Sequence, residues 1–510
     1  MYMEITISER NREFLYKWSF FAIITLLAIG MTTTIIRRAS GFLDVLDDRA
    51  GLFWIPILFI LFLGGVWLTL AIYAQPWRAA VAIALVLPFE SIPFISGIGP
   101  DDLDLITPII LLGLVATTAR LLLGKFTIYR TGLELPIVLF LLSALFAAGL
   151  SFRPLFTVFT YIKYAKVFVL LFLFYAVLRR AEDRHIRLTL LAYLASASLV
   201  FILSIIMYVA RLLFGFTSTF VTISLAGTLR LMATLKDPNI AAAYLVPVVL
   251  LALYWTLRSR VGHRRLFFAT IFVFLSSSLI LTVSRSGALA MVIALLFWLI
   301  WERRFLIRKR SVVISLALLF VLILVVALSF QGIRDRTFAQ ISSIFDRLTG
   351  SSFDAQASDV MHNLMGEWAL DMFKQKPWGV GRWNLAYEIG LDRLRMFRYS
   401  SIEQILAEGP PVHNSWLEIL SSEGVGGLVA FVWIIGIVLR GDLRTFRFKN
   451  DVPWLGELKA LSAGFIGLLV SMFFYTYDWM YFPWFLIALQ LILSVRAREY
   501  YSKNANPVHA

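Results

Sequence analysis

Arg285, in the run VSRSG at 283–287, and His413, in PPVHNSWLEILSSEGVGG at 410–427, are residues whose type and setting suggest chemistry. Arg230 and Lys236 lie in RLMATLKDPN at 230–239, and Lys163 and Lys166 stand three residues apart. That spacing puts the two lysines on one face of a helix. Arginine grips phosphate with a planar fork of donors, whereas lysine acts as a point charge. A histidine near its unperturbed pKa takes or delivers a proton at neutral pH. A cationic cluster with one histidine therefore suits capture of a lipid diphosphate, the histidine activating an attacking hydroxyl.

Each residue also has a plainer reading. Arg285 in a two-residue turn caps a helix or meets a lipid headgroup as readily as it binds substrate. Lys163 and Lys166 can snorkel to the interface, and Arg211 suits a plain interface anchor. A lone histidine at a helix start is more often structural, and His362 in mid-helix more so. His185 and His263 sit among basic residues expected to be solvated. Asp101, Asp102 and Asp104 form one short acidic turn without a second ligand group in sequence, so a metal site is not expected.

The elements that position these residues are set by composition. Of 510 residues, 60% are hydrophobic and 15% charged, with no cysteine and a net charge of +15. Soluble domains are about 45–50% apolar and about 25% charged. The apolar excess demands a bilayer as solvent, and the absence of cysteine excludes disulfides, thiolate metal sites and cysteine nucleophiles. The basic balance is read as loop charge of the positive-inside kind, because no nucleic-acid module is present.

The expected fold class is all-α: a polytopic transmembrane helix bundle of about fourteen spans (12–14) with a partly helical extracytoplasmic loop. The apolar stretches lie near 19–36, 51–74, 79–97, 104–121, 133–150, 160–178, 188–212, 239–257, 266–283, 286–301, 311–330, 414–439, 456–475 and 481–495. Such lengths suit crossing about 30 Å of hydrocarbon. The third is interrupted by Pro88, Glu90 and Pro93, so it is also a candidate re-entrant segment. The first reads as a signal anchor, following Arg10, Arg12 and Lys17.

With the N-terminus inside, the basic clusters at 179–187, 258–265, 303–310, 440–449 and 496–503 all fall in the cytoplasm. Both termini are then cytoplasmic. Arg211, Arg230, Lys236, Arg285, His413 and the lysine pair come to the opposite face. The chain divides into helices at 1–330, a large outer loop at 331–413, and further helices with a tail at 414–510, all one integrated membrane domain. The spacing within the loop predicts amphipathic helices at 336–348 and 360–373, the second ended by Pro377, Gly379 and Gly381.

The segments KDPN (236–239), SRSG (284–287), KPWGVG (376–381) and HNSWLEILSSEGVGGL (413–428) resemble, in type and order, the O-antigen ligase and polymerase family of bacterial membrane proteins. The resemblance covers roughly residues 225–440, and the first half of the chain matches in hydropathy alone. It implies a GT-C-like glycosyltransferase of the inner membrane that uses an undecaprenyl-diphosphate-linked glycan on the extracytoplasmic face, without metal or cofactor. It gives Arg285 the donor diphosphate and His413 the role of base, with Arg230, Lys163 and Lys166 as further diphosphate candidates. Glu418, Glu423 and Arg382 are candidate supporting residues. His413 to Glu418 is five residues, which faces poorly on a helix, and Glu423 serves equally as a packing residue. Trp378, Trp383 and Trp416 suit either sugar stacking or the interface. Relatives often carry an arginine where this chain has Asp359–His362; Arg347 or Arg382 takes its place, or that contact is missing. Implied partners are the lipid-linked donor, a glycan or lipid-linked acceptor, membrane lipids and other polysaccharide assembly proteins, with no nucleic acid.

The leading expectation is a polymerase of O-antigen, capsule or exopolysaccharide. The alternative is a ligase that moves a finished glycan to a lipid core or protein. A third reading is a transporter of an anionic solute, which should place ionisable residues near the bilayer midplane on broken helices. Glu90 and Lys459 are the few charges that bear on it.

Overall fold

The computed structural model describes residues 64–91, 93–95, 103–104, 106–223, 229–307, 353–382, 384–385, 388, 412–448 and 452–505. The expected helices at 19–36, 311–330 and 336–348 lie outside them, as do Asp101, Asp102, Arg347 and Trp383. The helices are α1 (Gly64–Ala74), α2 (Trp77–Val86), α3 (Ile106–Leu122), α4 (Glu134–Gly149), α5 (Pro154–Arg179) and α6 (Asp183–Phe214). They continue as α7 (Pro238–Arg258), α8 (Gly262–Leu281), α9 (Arg285–Ile307) and α10 (Phe353–Gln375). The last four are α11 (Ser415–Ser422), α12 (Gly424–Thr445), α13 (Leu455–Ser471) and α14 (Tyr481–Ala505).

The chain is a helical membrane protein. Among the described residues, six helices are long and apolar enough to cross a bilayer: α5, α6, α7, α8, the Arg285–Glu302 part of α9, and α12. Four shorter apolar helices lie at Gly64–Ala74, Trp77–Phe89, Ile106–Leu122 and Glu134–Gly149. The stretch expected at 79–97 departs from a single span. Helix α2 ends at Val86, a 3-10 turn covers Leu87–Phe89, and strand β1 (Pro93–Ile95) pairs antiparallel with β2 (Leu103–Asp104). Pro88 supplies no N–H to continue a helix. The Glu90 carboxylate accepts the Tyr481 N–H at 2.8 Å, tying the bend to the start of α14.

Helices α7, α13 and α14 form the buried centre, with α9 packed on α13 and α5 on α14. Close approach rests on small residues, as is usual between membrane helices. A Cβ on Gly464 of α13 would fall 2.5 Å from the Pro247 Cα of α7. A Cβ on Gly287 of α9 would fall 2.3 Å from the Ala242 Cβ of α7. The glycine of SRSG therefore sets how near α9 comes to the helix that KDPN opens.

Two further elements shape the same end of the bundle. Strands β3 (Val221–Ile223) and β4 (Leu229–Leu231) form an antiparallel hairpin with Thr222 opposite Arg230. Helix α10 includes the amphipathic helix expected at 360–373. Its Met365 and Ala369 are buried with Val380, Leu385 and Val412, and Trp368, Met372 and Leu417 pack on them. The loop helix thus rests on α11 and on the segment that leads into His413.

Candidate active site

Three of the four motif segments enter a helix through a strained residue. Lys236, Val283 and His413 have φ of 64°, 50° and 51°. A left-handed backbone at a non-glycine residue costs about 1–3 kcal/mol and persists only where the surroundings enforce it. For a β-branched residue such as Val283 it is a genuine outlier. The enforcing contacts are helix caps. Asp237 Oδ1 accepts the N–H of Asn239 at 2.6 Å and of Ile240 at 3.3 Å, with Pro238 in the first turn of α7. Asn414 Oδ1 accepts from Trp416 and Leu417 at 3.0 and 3.1 Å. The Ser284 hydroxyl accepts the Gly287 N–H at 3.1 Å.

These segments are bonded to one another. Arg230 Nε donates to the Thr282 carbonyl at 3.0 Å, and its Nη2 to Asn239 Oδ1 at 3.3 Å. Asn239 Oδ1 also accepts the Ser284 hydroxyl at 2.9 Å. Arg230 is buried and ties the β3–β4 hairpin to both KDPN and SRSG. Arg285 opens α9 beside this junction, half-buried.

His413 joins through a turn that sequence reasoning passed over. Residues 472–480 link α13 to α14. Ser415 N–H and Oγ donate to the Tyr475 carbonyl at 3.2 and 3.0 Å, and Ser415 Oγ accepts the Tyr477 N–H at 2.9 Å. The Tyr475 ring lies 5.1 Å from the His413 ring, centroid to centroid, at 51°. Tyr475 stacks on Tyr477 at 5.3 Å, and the Tyr477 hydroxyl donates to the Asn239 carbonyl at 3.2 Å. Burial first, then the charge of Asp237, hold the Tyr475 phenol well above its ordinary range. The polar run YTYD at 475–478, between two apolar stretches, was the available signal.

The supporting carboxylates have structural partners. Arg382 Nε donates to Glu423 at 3.2 Å, and its Nη2 to Asp478 at 2.6 Å, with all three side chains buried. The Arg382 N–H donates to the Tyr161 hydroxyl at 3.2 Å. Arg382 thus locks the loop after α10 to the α11–α12 junction, the 472–480 turn and α5. Glu418 accepts from the Ser422 hydroxyl at 3.3 Å and from the Val412 N–H at 3.4 Å. It holds the backbone before His413. Asn384, missed in the sequence, donates to Thr157 and accepts the Arg153 N–H at 3.2 Å, seating this loop on the start of α5.

Of the lysine pair, the Lys166 side chain is described. Lys166 is engaged by Asp104 at 3.4 Å, whose carboxylate also accepts the Tyr481 hydroxyl at 3.0 Å and the N–H of Ile106 and Thr107. A buried carboxylate needs a counter-charge, and the lysine supplies it. The side chains of Lys163 and His362 lie outside the described residues. His185 stacks on Trp77 at 3.9 Å at the opposite end of the bundle. Lys459 pairs there with Glu302 at 3.1 Å. Trp416 stacks on Phe473, and Trp378 is exposed.

A helical membrane protein with a strained, hydrogen-bonded polar junction at one end of its bundle is the class that these features define. Residues 270–432 match the family model described as O-antigen ligase. The matched stretch contains SRSG, KPWGVG and the His413 segment, which bears out the resemblance read from the motifs. Among curated proteins, none matches the chain. The KDPN turn and the 472–480 turn lie outside the matched stretch but meet within the same junction.

Proposed function

We propose that the chain is an inner-membrane polymerase that transfers a glycan from an undecaprenyl-diphosphate donor to a sugar hydroxyl on the extracytoplasmic face. The carrying observation is convergence. Segments distant in sequence meet through Arg230–Asn239–Ser284 on one side and Tyr475 beside His413 on the other. Within this reading the bundle has about fourteen spans and is GT-C-like. It comprises helices at 1–330, an outer loop at 331–413 and helices at 414–510. Both termini are cytoplasmic.

Arg285 holds the donor diphosphate, with Arg230 bracing the turn from which it projects and Lys163 a further contact. The acceptor oxygen attacks the anomeric carbon, and the bond to the diphosphate oxygen breaks. Undecaprenyl diphosphate leaves with the electron pair. His413 takes the hydroxyl proton, help typically worth about 10²–10⁴ in rate. A diphosphate is already a good leaving group, so cationic side chains can stabilise its charge without a metal.

The matched family, described as O-antigen ligase, favours a second reading: the same donor site serving transfer of a finished chain to a lipid core or protein. The charges weighed for a transporter fit that class poorly. Lys459 is paired with Glu302 at the far end, and Glu90 anchors Tyr481. Gel analysis of lipid-linked and surface glycans in a deletion strain separates these readings. Accumulated single repeat units support the polymerase, and long lipid-linked chains support the ligase. Unchanged glycan with altered solute uptake overturns both.

A further inference from the structure

We infer that Asn239 is a positioning residue for Arg285, acting through the hydroxyl of Ser284. This rests on Arg285 holding the donor diphosphate in the proposed transfer. Asn239 Oδ1 meets two donors, Arg230 Nη2 at 3.3 Å and the Ser284 hydroxyl at 2.9 Å. A guanidinium has no acceptor, so the atom it meets is the amide oxygen and not the amide nitrogen. The Ser284 hydroxyl has one hydrogen, and Asn239 takes it. Its lone pairs are then left for the Gly287 N–H and for the Ser286 hydroxyl, both at 3.1 Å, within the first turn of α9. Arg230 ties the other side of the turn, since its Nε donates to the Thr282 carbonyl at 3.0 Å. Thr282 and Ser284 flank Val283, whose φ is 50°. The strained turn is thus held at both shoulders, and Asn239 is the group that Arg230 and Ser284 share. Asn239 is itself fixed in the first turn of α7. Its N–H donates to Asp237 Oδ1 at 2.6 Å, and its carbonyl accepts the Tyr477 hydroxyl at 3.2 Å. Arg285 directly follows Ser284, so α7 sets where the arginine side chain begins. Asn239 lies outside the stretch that matches the ligase family, so that match assigns it no role.

The test uses purified full-length chain in nanodiscs, with lipid-linked glycan from the deletion strain as donor. N239L keeps the bulk of the side chain and removes the acceptor. S284A removes the same bond from the other side, and carries the test if N239L does not fold. Each is measured alone and combined with R285K, which keeps the charge without the two-armed fork. Alone, each variant should lower kcat/KM about tenfold, since small misplacements of a positioned group are costly. Combined with R285K, each should cost less than about twofold further, because a point charge has no fork to aim. A residue that merely stabilised the fold would cost the same factor in both backgrounds, and that result overturns the positioning role. Wild-type kcat/KM in the single variants, with R285A inactive, overturns it too. If R285A transfers glycan at the wild-type rate, the donor-site reading fails instead.

Discussion

Gly379 and Gly424 lie back to back. A Cβ on Gly379 would fall 2.7 Å from the Gly424 nitrogen and 2.4 Å from the Ser422 carbonyl oxygen. A Cβ on Gly424 would fall 2.3 Å from the Trp378 carbonyl carbon. Both have left-handed φ, 92° and 74°. Three backbone bonds close the contact: Val380 N–H to Ser421, Gly381 N–H to Ser422, and Val425 N–H to Pro377, at 2.9, 2.9 and 3.0 Å. The KPWGVG loop is thereby fastened to the α11–α12 junction, one helix away from His413.

Alanine at Gly379 or Gly424 should therefore be costly. Backbone cannot yield as a flexible side chain can, and the left-handed conformation alone costs about 1–3 kcal/mol. G379A and G424A should lower the thermal midpoint of the detergent-purified protein and reduce glycan transfer. A midpoint equal to wild type would show that the loop is not fastened as described.

Arg382 makes a second fastening. Removing a guanidinium from between Glu423 and Asp478 leaves two buried carboxylates without counter-charge, a loss of about 3–5 kcal/mol for a broken buried pair. R382M should destabilise the protein strongly, read as reduced membrane level and a lower thermal midpoint. R382K should fall between, because one ammonium cannot reproduce the two-armed grip. Equal stability of all three would contradict the clamp.

Much of this site was legible in the sequence, and the limits have physical causes. SRSG, KDPN and the His413 segment stood out because topology brings them to one membrane face. Topology does not show contact, so the bond from Arg230 to Asn239 and the packing of Tyr475 on His413 could not be read. Tyr475 looked like the end of an apolar stretch; it is the α13–α14 turn, because α13 stops at Ser471. Lys166 was grouped with Lys163 by helical spacing, yet the buried Asp104 draws it inward. Gly379 was visible as a breaker, but its contact with Gly424 joins segments 45 residues apart, and no local pattern encodes that.

Arg285 opens α9 beside the junction, and its proposed partner is a diphosphate. Lysine keeps the charge but not the fork, so R285K should retain part of the activity and R285A almost none. Glycan transfer in complemented cells, normalised to membrane level, reads the difference. Equal activity of the two would favour a helix cap or headgroup contact.

The most direct measurement is complementation of a deletion strain with H413A. Removing the base should cost about 10²–10⁴ in rate. The variant should insert in the membrane at wild-type level yet fail to restore long-chain glycan on a gel. Full restoration of long-chain glycan by H413A at equal membrane level would contradict the account.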